Sequence, residues 1–95
     1  MYENPEAIAY GAVIIEHMSA TLFIGAALWG IKDSFNKSDD APDFYAYIKN
    51  EFGMEKDEVD RMLAGAETYA LINKLDTPIE TIKKLRSDKG GRHVD

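Results

Sequence analysis

The chain contains no cysteine among its 95 residues and only three prolines. Without cysteine it can form no disulfide, no thiolate zinc site and no cysteine nucleophile. This absence fits a reducing cytosol. A chain of this length has room for one domain, which buries only about 60 to 65% of the surface that its unfolded form exposes. We therefore expect that a second copy or a partner would add to its stability.

Positive charge is also scarce at the start of the sequence, since the first six residues carry two acids and no base. This start does not match a secretory signal, and we expect a cytoplasmic location. The segment 7–31 is the most apolar part of the chain and is long enough to cross a bilayer. However, Glu16 and His17 lie near its middle, and Lys32 is the only base near its ends. A membrane span is therefore the less favoured interpretation.

Motifs for catalysis and cofactor binding are lacking as well. The sequence shows no Gly-rich phosphate loop, no serine nucleophile elbow and no carboxylate–histidine spacing of a metal enzyme. Glu16 and His17 are adjacent, so on a helix their side chains point about 100° apart and do not converge. His93 lies in the C-terminal tail with no partner in the sequence. We predict a non-enzymatic protein with no catalytic residue, no metal and no cofactor.

Basic residues are few, with eleven Lys and Arg against seventeen Asp and Glu. Residues 1–78 carry a net charge of −8 and residues 79–95 a net charge of +2. A body this acidic repels phosphate backbones, which makes DNA the less expected partner. The bases near the C-terminus could contact phosphate or the acidic face of a second copy, but bases at the end of a helix also simply favour its dipole. They are Lys83, Lys84, Arg86, Lys89 and Arg92.

Helical periodicity is what the sequence does contain, and we predict an all-α, four-helix domain over residues 1–89. Asn4 and Pro5 are typical of a helix start, and Thr77 to Glu80 has the pattern of a capping box. The predicted helices run over residues 4–35, 42–52, 55–75 and 77–87, to within a few residues. Gly90 and Gly91 are expected to end regular structure, which leaves residues 90–95 as a flexible basic tail.

The first predicted helix is apolar around most of its circumference. In a domain of this size such a helix is either wrapped by the other helices or pressed against a second subunit. We expect a homodimer formed through this helix. The residues predicted for self-association are Ile15, Leu22, Ala26 and Trp29.

Five apolar residues surround Gly53 at the spacing of a helix-turn-helix unit. Ile48 and Phe52 precede the glycine, and Met54, Val59 and Met62 follow it. The apolar residues would form the core between two helices, and the glycine supplies the turn conformation. With Ile24-Gly25, Leu28 and Ile31-Lys32 upstream and Ala66-Glu67 downstream, residues 20–70 resemble the helix-turn-helix domains of phage and plasmid regulatory proteins, including DNA-reading domains related to ParB.

That resemblance implies an origin in a phage, a plasmid or a related host regulator, and a DNA-reading helix after the turn. A DNA-reading helix presents mainly basic or neutral polar side chains at its exposed start. Here the start holds four acids and two bases, namely Glu55, Lys56, Asp57, Glu58, Asp60 and Arg61. Lys49 also occupies a position where such motifs prefer a small residue. We interpret this as a retained fold whose DNA-binding function is lost.

The acids suggest a protein partner instead. Carboxylates spaced along helices can substitute for phosphates and occupy a basic groove on a nucleic-acid-handling protein. The residues predicted to form this DNA-mimic-like surface are Asp39, Asp40, Asp43, Glu51, Glu55, Asp57, Glu58 and Asp60. Small acidic phage inhibitors are similar in composition. A plainer interpretation is a solvated face that serves solubility.

The first hypothesis is thus a non-enzymatic regulator or inhibitor that binds a partner with a basic surface. Two alternatives stay open. One is a DNA-binding helix-turn-helix transcriptional regulator that uses Lys56, Arg61 and the basic tail. The other is a helical subunit of a larger complex that docks through its apolar first helix.

Overall fold

The computed structural model describes residues 4–16 and 21–91, and the side chains of residues 4–14 and 21–85. These ranges contain helices and their connections and no strand, so the all-α prediction is confirmed. The helices are α1 (Pro5–Glu16), α2 (Thr21–Asn36), α3 (Phe44–Phe52), α4 (Lys56–Ile72) and α5 (Glu80–Gly91). None of the helices in the described residues combines the length and the apolar character needed to cross a bilayer.

The predicted first helix is two helices, so five helices are described where four were expected. α1 and α2 pack antiparallel: Asn4 Nδ2 donates to Ser34 Oγ at 3.2 Å, and the ring of Tyr10 lies against Gly30. A continuous helix over residues 4–35 would be about 48 Å long. It would leave much of its apolar circumference uncovered, whereas the antiparallel pair lets each half bury its apolar side against the other.

Helix α2 lies at the centre of the fold and contacts each of the other four helices. Ala26, Ala27, Leu28 and Ile31 on this helix are all fully buried. A helix that is apolar on most sides was expected either to be wrapped by the other helices or to press against a second subunit. α2 is wrapped by its neighbours. Gly25 brings α2 against α4, because a Cβ at this position would collide with the carbonyl oxygen of Met62.

The N-terminus of α1 is capped as predicted. Asn4 Oδ1 accepts hydrogen bonds from the backbone N–H groups of Glu6 at 2.9 Å and Ala7 at 3.2 Å. These bonds satisfy two of the donors that an N-terminal turn leaves unpaired within the helix.

The start of α3 differs slightly from the prediction. The helix begins at Phe44 and is capped by Asp43, whose carboxylate accepts from the N–H of Ala46 at 2.9 Å, so Pro42 lies outside it. Asp43 is the better cap because its side chain can accept that bond. The predicted stop is confirmed: Gly53 adopts φ +69°, and its N–H donates to the carbonyl of Lys49.

The last two helices differ from the prediction at their ends. α4 ends at Ile72, and α5 begins at Glu80 after a turn in which the N–H of Glu80 donates to the carbonyl of Thr77 at 3.1 Å. α5 continues to Gly91, beyond the predicted end near Ser87 and past the boundary placed after residue 89. A glycine costs a helix about 1 kcal/mol relative to alanine but does not forbid it. Residues 92–95 of the predicted tail lie outside the described residues.

Candidate partner-binding surface

Residues 39–60 form a segment whose charge differs from that of the rest of the chain, and we call it the acidic segment. It holds eight Asp and Glu against two Lys, a net charge of −6, which equals the formal net charge of the whole chain. The remaining residues hold nine bases and nine acids. In the structure the acidic segment comprises the end of the α2–α3 loop, all of α3, the turn at Gly53 and the start of α4.

The eight predicted partner-binding residues all reach solvent to some extent. Asp39, Asp40, Asp43, Glu51, Glu55 and Asp57 are exposed, and Glu58 and Asp60 are half-buried. Three elements contribute them: the α2–α3 loop, α3, and the first turns of α4 with the residue before it. Acids from three different elements therefore remain available to a partner, although Asp43, Glu55 and Asp60 also bond to groups within the chain.

Both lysines of the acidic segment are paired inside it. Lys49 Nζ lies 3.2 Å from the carboxylate of Glu55, and Lys56 Nζ lies 2.9 Å from that of Asp60. The net charge of −6 therefore resides on the other six carboxylates of the segment. Ion pairs as exposed as these contribute little to stability, so they neutralise charge without greatly strengthening the fold.

Asp60 belongs to a cluster that joins α3 to α4. The hydroxyl of Tyr45 donates to Asp60 Oδ1 at 2.6 Å, and Lys56 Nζ lies 4.7 Å from the centroid of the Tyr45 ring. The hydrogen bonds from Tyr45 and Lys56 lower the pKa of the Asp60 carboxyl below its ordinary value. The hydrogen bond to Asp60 raises the pKa of Tyr45, and also that of Lys56.

This cluster assigns Asp60 an internal role that the sequence did not reveal. Tyr45 and Asp60 are fifteen residues apart and lie on different helices. Helical spacing relates only residues three or four positions apart on one helix, so it offered no signal for this pair. Only the Lys56–Asp60 pair, four residues apart within α4, has a spacing that sequence rules would connect.

The five apolar residues around Gly53 lie in or against the core where α3 meets α4. Ile48, Met54 and Val59 are buried, and Phe52 and Met62 are partly buried against the same core. Only residues 53–55 separate α3 from α4. Both the helix-turn-helix identity of this helix pair and its use in reading DNA stay predictions.

The bases that a DNA-reading function would use differ in their pairing and in their exposure to solvent. Lys56 is paired with Asp60, whereas Arg61 is exposed. Farther along the chain, Lys83 is exposed and Lys84 is half-buried, and both line a pocket with Leu75 and Glu80. The side chains of Arg86, Lys89 and Arg92 lie outside the described residues.

Of the residues predicted for self-association, the three whose side chains are described differ in their burial. Ala26 is fully buried within the chain because α2 is enclosed by its neighbours, which removes it from any surface through which two copies could meet. Leu22 and Trp29 are half-buried. Leu22 lies beside Glu58 and Arg61, and Trp29 beside Asp33 and Glu67. The side chain of Ile15 lies outside the described residues.

Within the described part of the chain, no three His, Asp or Glu side chains lie close enough together to hold a metal ion. No family model matches the chain, and neither the curated proteins nor the solved structures include a match to it.

Proposed function

We propose that the protein is a non-enzymatic regulator or inhibitor that uses its acidic segment to bind the basic, nucleic-acid-binding surface of another protein. The observation that supports this most directly is the concentration of charge. The acidic segment carries a net charge of −6, while the other residues balance at nine bases and nine acids. A net charge that serves solubility can be spread over the whole surface, whereas here it lies within 22 consecutive residues.

The mechanism is occupation of the partner's basic surface. Carboxylates on the α2–α3 loop, α3 and the start of α4 would take positions that phosphates of a nucleic acid would otherwise take. Complementary charge of this kind accelerates association and selects the partner, and its effect weakens as salt screens it. The resemblance of residues 20–70 to phage and plasmid regulators supports an origin in a phage or another mobile element.

The test is capture from a cell lysate on the immobilised protein, with identification of what is retained. The informative variant carries Asp40→Lys and Asp57→Lys, which reverse two exposed acids of the acidic segment and leave the Tyr45–Asp60 bond in place. The matched control carries Glu67→Lys and Asp76→Lys, which reverse two exposed acids elsewhere. Both variants change the net charge by the same amount, so a difference between them reports where the charges lie and not how large the total charge is.

We expect the wild type and the control to retain a basic nucleic-acid-binding protein, and the Asp40/Asp57 variant to lose it. Added salt and added duplex DNA should both release the retained protein, because DNA would compete for the same basic surface. Equal retention by the two variants, or retention that DNA does not compete, would contradict the proposal.

A DNA-binding regulator is the second candidate, and the short turn between α3 and α4 at Gly53 favours it. Against it stand the internal pairing of Lys56 and the acids Asp57 and Glu58 in the first turn of α4. If this candidate is right, the protein alone retards duplex DNA in a gel, and Lys56→Ala with Arg61→Ala weakens the retardation. We expect no retardation at physiological salt.

A further inference from the structure

An apolar groove of about 330 Å³ lies between α1 and α3, next to the acidic segment. The residues that shape it are Ile8, Gly11, Ala12, Tyr47, Glu51 and Phe52. Ile8 is 62% exposed and presents apolar surface at the groove. The groove therefore offers apolar surface to solvent, with one carboxylate, that of Glu51, in its lining.

The shape of the groove follows from the packing of Phe52. Gly11 is buried, and the Phe52 ring lies so close to it that a Cβ at position 11 would come within 3.2 Å of the ring. The aromatic ring thus rests on the backbone of α1 and forms part of the lining. Ile8 and Ala12, one helical turn apart and both exposed, contribute to the lining from α1.

We propose that this groove is the apolar anchor site for a basic amphipathic helix of the partner. An apolar side chain of that helix would lie between Ile8 and Phe52, and a lysine or arginine would pair with Glu51. This inference rests on the function proposed above and specifies the partner's chemistry. Exposed ion pairs contribute little affinity, so a partner held at the acidic segment also needs a buried apolar contact.

The negative charge beside the groove favours one kind of occupant over the others. Glu51 belongs both to the groove and to the acidic segment, so the groove adjoins the region of highest negative charge in the chain. An anionic lipid surface would meet like charge there, and a second copy has an overall net charge of −6 with only residues 79–95, at +2, to offer as a basic part. A helix with an apolar face and basic residues would meet apolar surface in the groove and carboxylates in the acidic segment beside it. This is the helix-in-groove mode of recognition.

The experiment uses two synthetic peptides as probes. One has about 18 residues, with leucines at helical spacing on one face and lysines elsewhere. The other has serine in place of every leucine and the same charge. Each is titrated into the ¹⁵N-labelled protein, with the backbone amide of Gly11 as the NMR reporter of the groove. We expect the leucine peptide to shift the Gly11 signal and to bind about tenfold more tightly than the serine peptide.

The informative variant is Ile8→Ser, and Leu71→Ser is its matched control. Both residues are exposed aliphatic side chains on helices, at 62% and 80%, but Leu71 lies near the end of α4 and does not line this groove. We expect Ile8→Ser to weaken binding of the leucine peptide about tenfold and to leave binding of the serine peptide unchanged. Leu71→Ser should leave both unchanged, and circular dichroism checks that both variants are folded.

The outcomes separate this inference from the proposed function. If Ile8→Ser and Leu71→Ser behave alike, or if the two peptides bind equally, the groove is not the anchor, while the capture experiment still decides the role of the acidic segment. Asp40→Lys with Asp57→Lys should weaken the binding of both peptides by the same factor. Concentration-dependent shifts of the Gly11 signal without any peptide would identify a second copy as the occupant and overturn the inference.

Discussion

Two helical glycines occupy opposite environments. Gly25 on α2 is buried, and a Cβ there would collide with the backbone carbonyl of Met62 on α4. Gly65 on α4 is exposed, and apart from its chain neighbours and the adjacent backbone of α4 no atom lies within 4 Å of where its Cβ would be. The same substitution therefore has opposite expected effects at the two positions, since one requires the helices to separate and the other adds a better helix former.

We expect Gly25→Ala to lower the free energy of unfolding by about 1–3 kcal/mol, because a backbone atom rather than a flexible side chain blocks the new methyl group. Gly65→Ala should raise it by about 0.5–1 kcal/mol through helix propensity. Urea denaturation followed by circular dichroism measures both values. A Gly25→Ala variant as stable as the wild type would show that α2 and α4 do not pack as described.

At the scale of elements, the junction between α3 and α4 depends on more than its turn. Gly53 allows the chain to change direction, and Ile48 and Val59 are fully buried on the two sides of it. The hydrogen bond from Tyr45 to Asp60 adds a polar connection between the two helices. Lys56 pairs with the same carboxylate.

Tyr45→Phe removes that hydrogen bond and leaves the ring in place. We expect it to lower the free energy of unfolding by about 1 kcal/mol, the usual net contribution of one hydrogen bond. Tyr69→Phe, a half-buried tyrosine on α4, is a suitable control in the same urea experiment. If both variants lose equal stability, the Tyr45 hydroxyl has no special role in joining the helices.

The same bond predicts a pH dependence. In the folded chain the pKa of the Asp60 carboxyl is lower than that of an ordinary aspartate. The main cause is the hydrogen bond from Tyr45, followed by the one from Lys56. A carboxyl group of this kind stabilises the fold above its unfolded pKa, and the contribution is lost as the pH falls through the folded pKa. We expect NMR to show that the Asp60 carboxyl titrates at a lower pH than an ordinary aspartate, and that its midpoint moves upward in Tyr45→Phe.

For the molecule as a whole, α2 is the element on which the fold depends. It contacts α1, α3, α4 and α5, and Leu28 on it is fully buried. Leu22 on the same helix is only half-buried, at the edge of a pocket shared with α4. A leucine on the buried side of α2 should therefore contribute more to the stability of the fold than a leucine at the edge of a pocket.

We expect Leu28→Ala to lower the free energy of unfolding by about 2–5 kcal/mol, because it leaves a cavity among several helices. Leu22→Ala should cost about 1 kcal/mol, since less apolar surface is buried there. Thermal and urea denaturation compare the two variants. A loss as large for Leu22→Ala as for Leu28→Ala would indicate that Leu22 is covered, as it would be between two copies of the chain.

The acidic segment was predictable because charge composition is visible in the sequence. Its internal organisation was not. The pairing of Tyr45 with Asp60 joins residues on different helices, and the groove beside Glu51 combines Ile8 and Phe52, which are 44 positions apart. Ala26 was wrongly assigned to a surface for the same reason, because helical periodicity identifies an apolar row but not which neighbour covers it.

The sequence by itself determined the helical class, the cap at Asn4 and the stop at Gly53. Each of these depends on groups within about four residues of one another, so local chemistry is sufficient. Only the tertiary structure decided that the long apolar segment forms two antiparallel helices, that α2 is enclosed, and that a groove opens between α1 and α3. These features depend on apolar surfaces from distant parts of the chain that are buried together, and no local rule specifies that combination.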